Sequence, residues 1–239
     1  MASSTVTLLR SLEWAKRFVF NRQLSIGDFK EPFLTSANIV YQTMLSPPFV
    51  WRWNRQVITF STIAGTQDYT EACNFGYIEN ASVQDTSASA TGWIEITPKI
   101  DLALNTQQSR PEFISGQLDD NNGNITFRFM PVPDKVYPIS ITLQQKPALL
   151  TSLNQTWAPI PDEFSFIYQV GILSWMYSFA DDPRAATTRQ QFVSHLLGAS
   201  EGLTATQVNI FLSNYQNLSL AQSEKAIQMQ QGNSGRGSY

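Results

Sequence analysis

Cysteine and histidine are almost missing from this 239-residue chain, with Cys73 and His195 the sole examples. One cysteine excludes an internal disulfide and leaves too few thiols for a cysteine-based zinc site. This suits a reducing compartment. One histidine means that any Ser–His–Asp relay has to run through His195. That residue falls near the apolar face of a predicted helix, where capping or packing outweighs catalysis. Charge is scarce as well: Asp, Glu, Lys and Arg make up 15% of residues, against roughly 25% in an ordinary soluble domain.

The missing charge is replaced by Gln, Asn, Ser and Thr. A neutral polar surface is cheaper to cover with a partner, because no ion has to be stripped of water. Composition therefore points to large protein contacts, with a merely polar monomer as an equal alternative. The net charge of -3 gives no basic footprint for nucleic acid. Residues 1–50 carry 5 basic and 3 acidic side chains, residues 51–150 carry 7 and 10, and residues 151–239 carry 4 and 6. No segment is a phosphate-binding arm.

A membrane span is not expected either. The longest apolar run, Phe164 to Ala180, has 17 residues, includes Gln169 and three serines, and lacks basic flanks. A span needs about 20, so a helix buried all round is the better reading. Met1 to Arg10 lacks the apolar centre of a signal peptide. Triplets such as Asn154-Gln155-Thr156 then read as accidental glycosylation signals.

Catalytic signatures are equally thin. No Gly-x-Ser-x-Gly elbow surrounds a serine, and no phosphate loop or dinucleotide glycine pattern occurs. Asp119-Asp120 and Asp181-Asp182 sit at turns beside Gly or Pro, and read as solvated turns before metal ligands. The loop from Asp119 to Gly123 lacks the alternating spacing and closing glutamate of a calcium loop. Trp51 and Trp53 share one face of an extended segment, where they either join the core or stack on sugar rings. The sequence thus calls for no enzyme, cofactor or metal.

What is present is a change of periodicity. Thr5 to Phe20 and Pro32 to Met44 have helical spacing, the second stopped by Pro47-Pro48. Strand patterns follow: Val57 to Thr62, Thr66 to Tyr69, Tyr77 to Val83, Trp93 to Thr97, the hairpin Phe113 to Met130, and Tyr137 to Gln145. Pro161, Asp162 and Glu163 then start the apolar helix. Arg184 to Leu197 and Thr204 to about Gln231 supply two more. The predicted fold is α+β: a helical bundle built from N- and C-terminal helices, with an inserted antiparallel β domain of about six strands, sandwich or barrel-like. The expected divisions are 1–49 (N-terminal helices), 50–148 (β domain), 149–231 (C-terminal helices) and 232–239 (flexible tail).

The order of these segments, more than any single motif, resembles a known family. Trp51-Arg52-Trp53-Asn54 follows the proline stop. Phe60-Ser61-Thr62-Ile63-Ala64-Gly65-Thr66-Gln67-Asp68-Tyr69 comes next. Arg110-Pro111, the strand Ile125 to Met130 with Pro131-Val132-Pro133-Asp134, and Lys146-Pro147 follow. Ile160-Pro161-Asp162-Glu163-Phe164 opens the helix holding Gly171. Over about residues 5–200 the chain resembles head-to-tail adaptors of short-tailed bacteriophages, the tail tubular protein A type.

The resemblance implies a non-enzymatic virion protein of the neck, assembled in the bacterial cytoplasm as a ring of about twelve copies. Its partners are then the portal protein, the next tail or nozzle protein, and DNA passing through the lumen without sequence-specific binding. Phe211, Tyr215, Gln216, Gln222, Gln228, Gln231, Arg236 and Tyr239 become candidates for portal docking. Trp51, Arg52, Trp53 and Arg55 become candidates for β-domain contacts. The alternative on the residues alone is a carbohydrate-binding or host-recognition module resting on Trp51 and Trp53.

Overall fold

The computed structural model describes residues 4–19, 30–85, 92–119, 123–200 and 202–215. The first helix, α1 (Leu8–Ala15), is shorter than its apolar spacing predicts. Residues before it are taken by a tertiary pairing that outweighs helix propensity. Thr7 bridges Thr156, Leu8 N–H donates to the Gln155 carbonyl, and Trp157 N–H donates to that of Val6. Thr7 then caps the helix by accepting from Arg10 N–H at 3.3 Å. Leu8, Ser11, Leu12 and Ala15 form its buried face.

Helix α2 (Lys30–Leu45) ends just before Pro47-Pro48, as proline's effect on its predecessor requires. The long apolar helix is α3 (Ser165–Phe179), entered through a 3-10 turn at Asp162–Phe164. It is buried on nearly all sides, with Ile167, Tyr168, Ile172, Trp175 and Met176 among its inward residues. Gly171 makes that possible. A Cβ there would stand 2.8 Å from Val40 Cγ2 and 2.9 Å from two ring carbons of Phe192. Helices α2 and α4 (Arg184–Ala199) therefore close on α3 at a point where only hydrogen fits.

A fifth helix, α5 (residues 205–215), follows. Its predicted continuation to Gln231 lies outside the described residues. α5 runs back along α2: Phe211 meets Phe49 just past the end of α2, and Tyr215 meets Phe192, the neighbour of Val40.

The middle of the chain forms one seven-stranded sheet: β1 (Arg55–Ser61), β2 (Asp68–Ala72), β3 (Phe75–Gln84), β4 (Trp93–Pro98), β5 (Phe113–Asp119), β6 (Asn124–Met130) and β7 (Pro138–Gln145). The spatial order is β1-β7-β3-β4-β5-β6-β2. Two expectations need correction. The described residues form seven strands, one on each of the seven segments with strand pattern and one more than the rounded count of about six, and the sheet is mixed where it was predicted antiparallel. β4 and β5 run parallel through Thr97–Phe113 and Pro98–Ile114. The physical reason is the connection 99–112, long enough to return the chain to its original direction.

The sheet curls into a half-barrel around one core, and is not two facing layers. Its two ends meet through aromatic rings: Phe60 of β1 lies 5.4 Å from Tyr69 of β2 and 6.1 Å from Phe129 of β6. Alternation along β6 and β7 points Ile125, Phe127, Phe129, Ile139, Ile141 and Leu143 inward. A separate core joins the helices, and it includes Phe49, Trp51, Trp157 and Ile160.

Candidate functional site

The chain passes from the helical core into the sheet through Phe49–Trp51 and returns at Gln144–Gln145. Gln144 is 0% exposed, and each polar atom of its amide is used. Its Oε1 accepts from Trp51 N–H at 3.2 Å. Its Nε2 donates to the Trp51 carbonyl at 3.1 Å and to Glu79 Oε2 at 2.8 Å. Glu79 also accepts from Arg55 Nε at 2.7 Å. Asn54 Nδ2 donates to the Gln145 carbonyl at 3.1 Å, and the Tyr77 hydroxyl donates to that of Phe49. Burial, then the negative charge of Glu79, pushes the Tyr77 hydroxyl well above its usual range. The fully used Gln144 amide fixes the geometry here, because each lost bond strands a desolvated group, while Asn54 Oδ1 and Trp53 Nε1 at the same joint are buried without a hydrogen-bond partner.

Aromatic rings fill the apolar side of the same joint. Trp51 is 3% exposed. It stacks on Trp53 at 5.3 Å and meets Phe164 edge-on at 5.4 Å. Its indole N–H donates to the Met44 carbonyl. After Trp51 the chain makes a 3-10 turn at Arg52–Asn54. The extended spacing expected for Trp51 and Trp53 is replaced by this turn, and both rings pack on the helical core. With its ring buried, Trp51 offers no face to a sugar. Arg52 is exposed, and Arg55 pairs with both carboxylate oxygens of Glu79 through Nε and Nη2.

A second tie joins the start of the chain to α3. Asp162 accepts from Ser4 Oγ at 2.8 Å, from Thr5 N–H at 3.1 Å, from Val6 N–H at 3.3 Å and from the Thr5 hydroxyl. The hydrogen bonds from Thr5 and then Ser4 hold its carboxyl down at about 2. Beside it Trp157 stacks on Tyr168 at 4.3 Å and 9°, and donates to Ser11 Oγ at 2.9 Å. Tyr41 donates to the Ala158 carbonyl at 2.6 Å, and burial pushes its hydroxyl up to about 12.

The acidic turns resolve differently from a uniform solvated reading. Asp182 is buried and organises the start of α4. Its Oδ1 accepts from Arg184 N–H at 2.9 Å, and its Oδ2 pairs with the guanidinium at 2.6 Å. Asp181 beside it is exposed, with a positive φ of 52°. The tip of the Asp119 loop lies outside the described residues. His195 is exposed and sits edge-on to Phe166 at 5.4 Å. Cys73 is buried. Among the described residues no three His, Cys, Asp or Glu side chains gather as a metal site, and no helix is long and apolar enough to cross a membrane.

Of the residues marked for docking, Phe211 and Tyr215 are in view, 9% and 8% exposed. Phe211 packs edge-on against Phe49 at 4.8 Å. Burial pushes the Tyr215 hydroxyl up to about 12. Gln216, Gln222, Gln228, Gln231, Arg236 and Tyr239 lie outside the described residues. The end of α2, Pro47-Pro48 and α5 border an open groove of about 520 Å³. Sequence reasoning missed Gln144 and Glu79, which carry no local signal. It placed Asp162 at a helix start, without its partners 156 to 158 residues away.

The buried polar side chains described here bond to other parts of the same chain. A family model described as SU10 adaptor protein matches residues 39–209, well over half of the chain. The chain belongs to that family, a family of phage head-to-tail adaptors, in agreement with the resemblance in segment order. None of the curated proteins matches it. As a phage adaptor it is a structural virion component, and its family's interactions are with portal and tail proteins.

Proposed function

We propose that the protein forms a ring, of about twelve copies, that joins the portal to the tail and lines the DNA channel without catalysing a reaction. The family membership carries this reading. The order of helices, sheet and helices supports it. In the proposal residues 1–49 and 149–231 make a helical bundle, 50–148 make a β domain, and 232–239 make a flexible tail. The segment from residue 204 onward grips the portal through Phe211, Tyr215, Gln216, Gln222, Gln228, Gln231, Arg236 and Tyr239. Phe211 and Tyr215 act from within the fold, as the packed base of that segment. The β domain meets the next tail protein. Arg52 lies outermost, while Trp51, Trp53 and Arg55 set its position.

The net charge of -3 suits a channel wall along which a duplex slides and does not stick. Assembly takes place in the bacterial cytoplasm, and the finished ring sits in the virion neck. Electron microscopy of the full chain mixed with its cognate portal ring tests the proposal. The expected image has an extra ring of density beneath the portal. A chain that stays monomeric by light scattering and leaves the portal bare would overturn it.

A further inference from the structure

Helix α5 is locally self-sufficient. Gly202, at a φ of 74° that side chains rarely tolerate, turns the chain into it from α4. Its first turn is closed from within: Gln207 N–H donates to Thr204 Oγ1 at 3.3 Å, and Thr204 N–H donates to Gln207 Oε1 at 2.9 Å. Such a reciprocal cap satisfies the helix start without help from the rest of the fold. Phe211 and Tyr215 are the buried side chains of α5, and its other residues are exposed or half-buried. Elements with so little buried surface open locally, at a lower cost than global unfolding.

The residue that holds α5 also holds the sheet. Phe49 is buried, with its ring edge-on to Phe211 at 4.8 Å and stacked on Trp51 at 6.4 Å. Its backbone carbonyl accepts from the hydroxyl of Tyr77 on β3. Tyr77 stands opposite Gln144 in the β3–β7 ladder, and Gln144 is bonded to Trp51. Phe49 therefore meets α5 with its ring and the sheet with its carbonyl. Withdrawing Phe211 removes one wall of the Phe49 site and loosens the segment that Tyr77 and Gln144 grip. We propose that α5 is a latch on the joint between helices and sheet: its release and the loosening of β3 and β7 around Tyr77 and Gln144 are one coupled opening. The coupling is reciprocal, so a weakened joint favours release of α5 by the same factor. It stands on contacts within one chain and is independent of ring assembly and of any partner.

Amide hydrogen exchange of the full-length chain alone tests the coupling in both directions. Phe211→Ala is expected to speed exchange at residues 75–78 and 143–145 about tenfold or more, as a local opening that leaves β5 and β6 at the parent rate. Tyr77→Phe removes only the hydroxyl given to Phe49. It is expected to speed exchange over residues 208–215 about threefold or more, the factor of one buried hydrogen bond. Tyr69→Phe is the matched control, since its hydroxyl is spent within the sheet on the Ile63 and Thr66 carbonyls; α5 is expected to keep the parent rate there. If Tyr77 serves the sheet alone, Tyr77→Phe leaves α5 unchanged, and that result overturns the latch. Exchange in Phe211→Ala that is unchanged at the joint, or faster by one factor in every strand, overturns it as well. Should Phe211→Ala fail to fold, Thr204→Ala loosens α5 from an exposed position by removing its cap. Faster exchange in α5 with none at the joint then counts against the coupling.

Discussion

Gln144 and Trp51 are bonded to each other twice, amide oxygen to backbone N–H and amide nitrogen to backbone carbonyl, across 93 residues of sequence. The pair is a side-chain copy of a strand–strand hydrogen-bond couple, placed where the helical core gives way to the sheet. Gln144→Leu keeps the volume and strands both Trp51 backbone groups. Leaving such buried groups unsatisfied costs about 1–3 kcal/mol, and chemical denaturation is expected to report a loss of that size. Gln144→Glu is expected to be worse, since it sets a second carboxylate against Glu79. An unchanged denaturation midpoint for Gln144→Leu would show that the joint is held by the aromatic rings alone.

Gly171 is required by the approach of Val40 and Phe192. Gly171→Ala forces a methyl into space already occupied, and is expected to destabilise by about 1–3 kcal/mol. Adding Val40→Ala clears the nearer clash, so the double variant is expected to cost less than the two single changes summed. Simple additivity in a double-mutant cycle would contradict the packing account.

The Asp162 carboxyl, held at about 2 by Thr5 and Ser4, links stability to acidity with a definite sign. Its value in the folded chain lies below that of an unfolded aspartate, about 4. The contribution is therefore complete above about pH 4 and is lost as the pH falls toward 2. Asp162→Asn is expected to lower the melting temperature at neutral pH and to lower it less at pH 2. A parallel pH profile for parent and variant would sink the assignment. Thr5→Val removes one donor and is expected to shift the profile in the same direction.

Asp182 stands just before Pro183, the N-cap residue of α4, where it accepts from Arg184 N–H and pairs with the Arg184 guanidinium. Asp182→Ala leaves the Arg184 backbone N–H without its acceptor. The expected loss is about 1 kcal/mol, read as a lower melting temperature. Faster amide exchange confined to the first turn of α4 should accompany it; exchange spread evenly over the helix would point to a global effect.

Much of this architecture is legible in the chain before any coordinates. Pro47-Pro48 marks the end of α2, alternation marks β6 and β7, and the uniform apolarity of Phe164–Ala180 marks a helix buried over most of its surface, with Phe166 and Phe179 left exposed near its two ends. Local chemistry fails where distant pairing decides the outcome. Residues 5–7 fall within the predicted helix and are instead tied down by Thr156, Trp157 and Asp162. Residues 51–54 have strand spacing and are turned by packing on Phe164 and by Gln144. The parallel step from β4 to β5 leaves no trace in either strand, because direction is set by the connection between them. In α5, Phe211 and Tyr215 are legible as apolar residues at helical spacing. The groove is not, since its other wall lies on α2, more than 150 residues earlier.

Because Trp51 and Gln144 clasp each other, the sheet enters and leaves the helical core through a single gate. The residues between them leave and rejoin the helical core at one place, so a displacement of either partner is felt at both ends of the sheet at once.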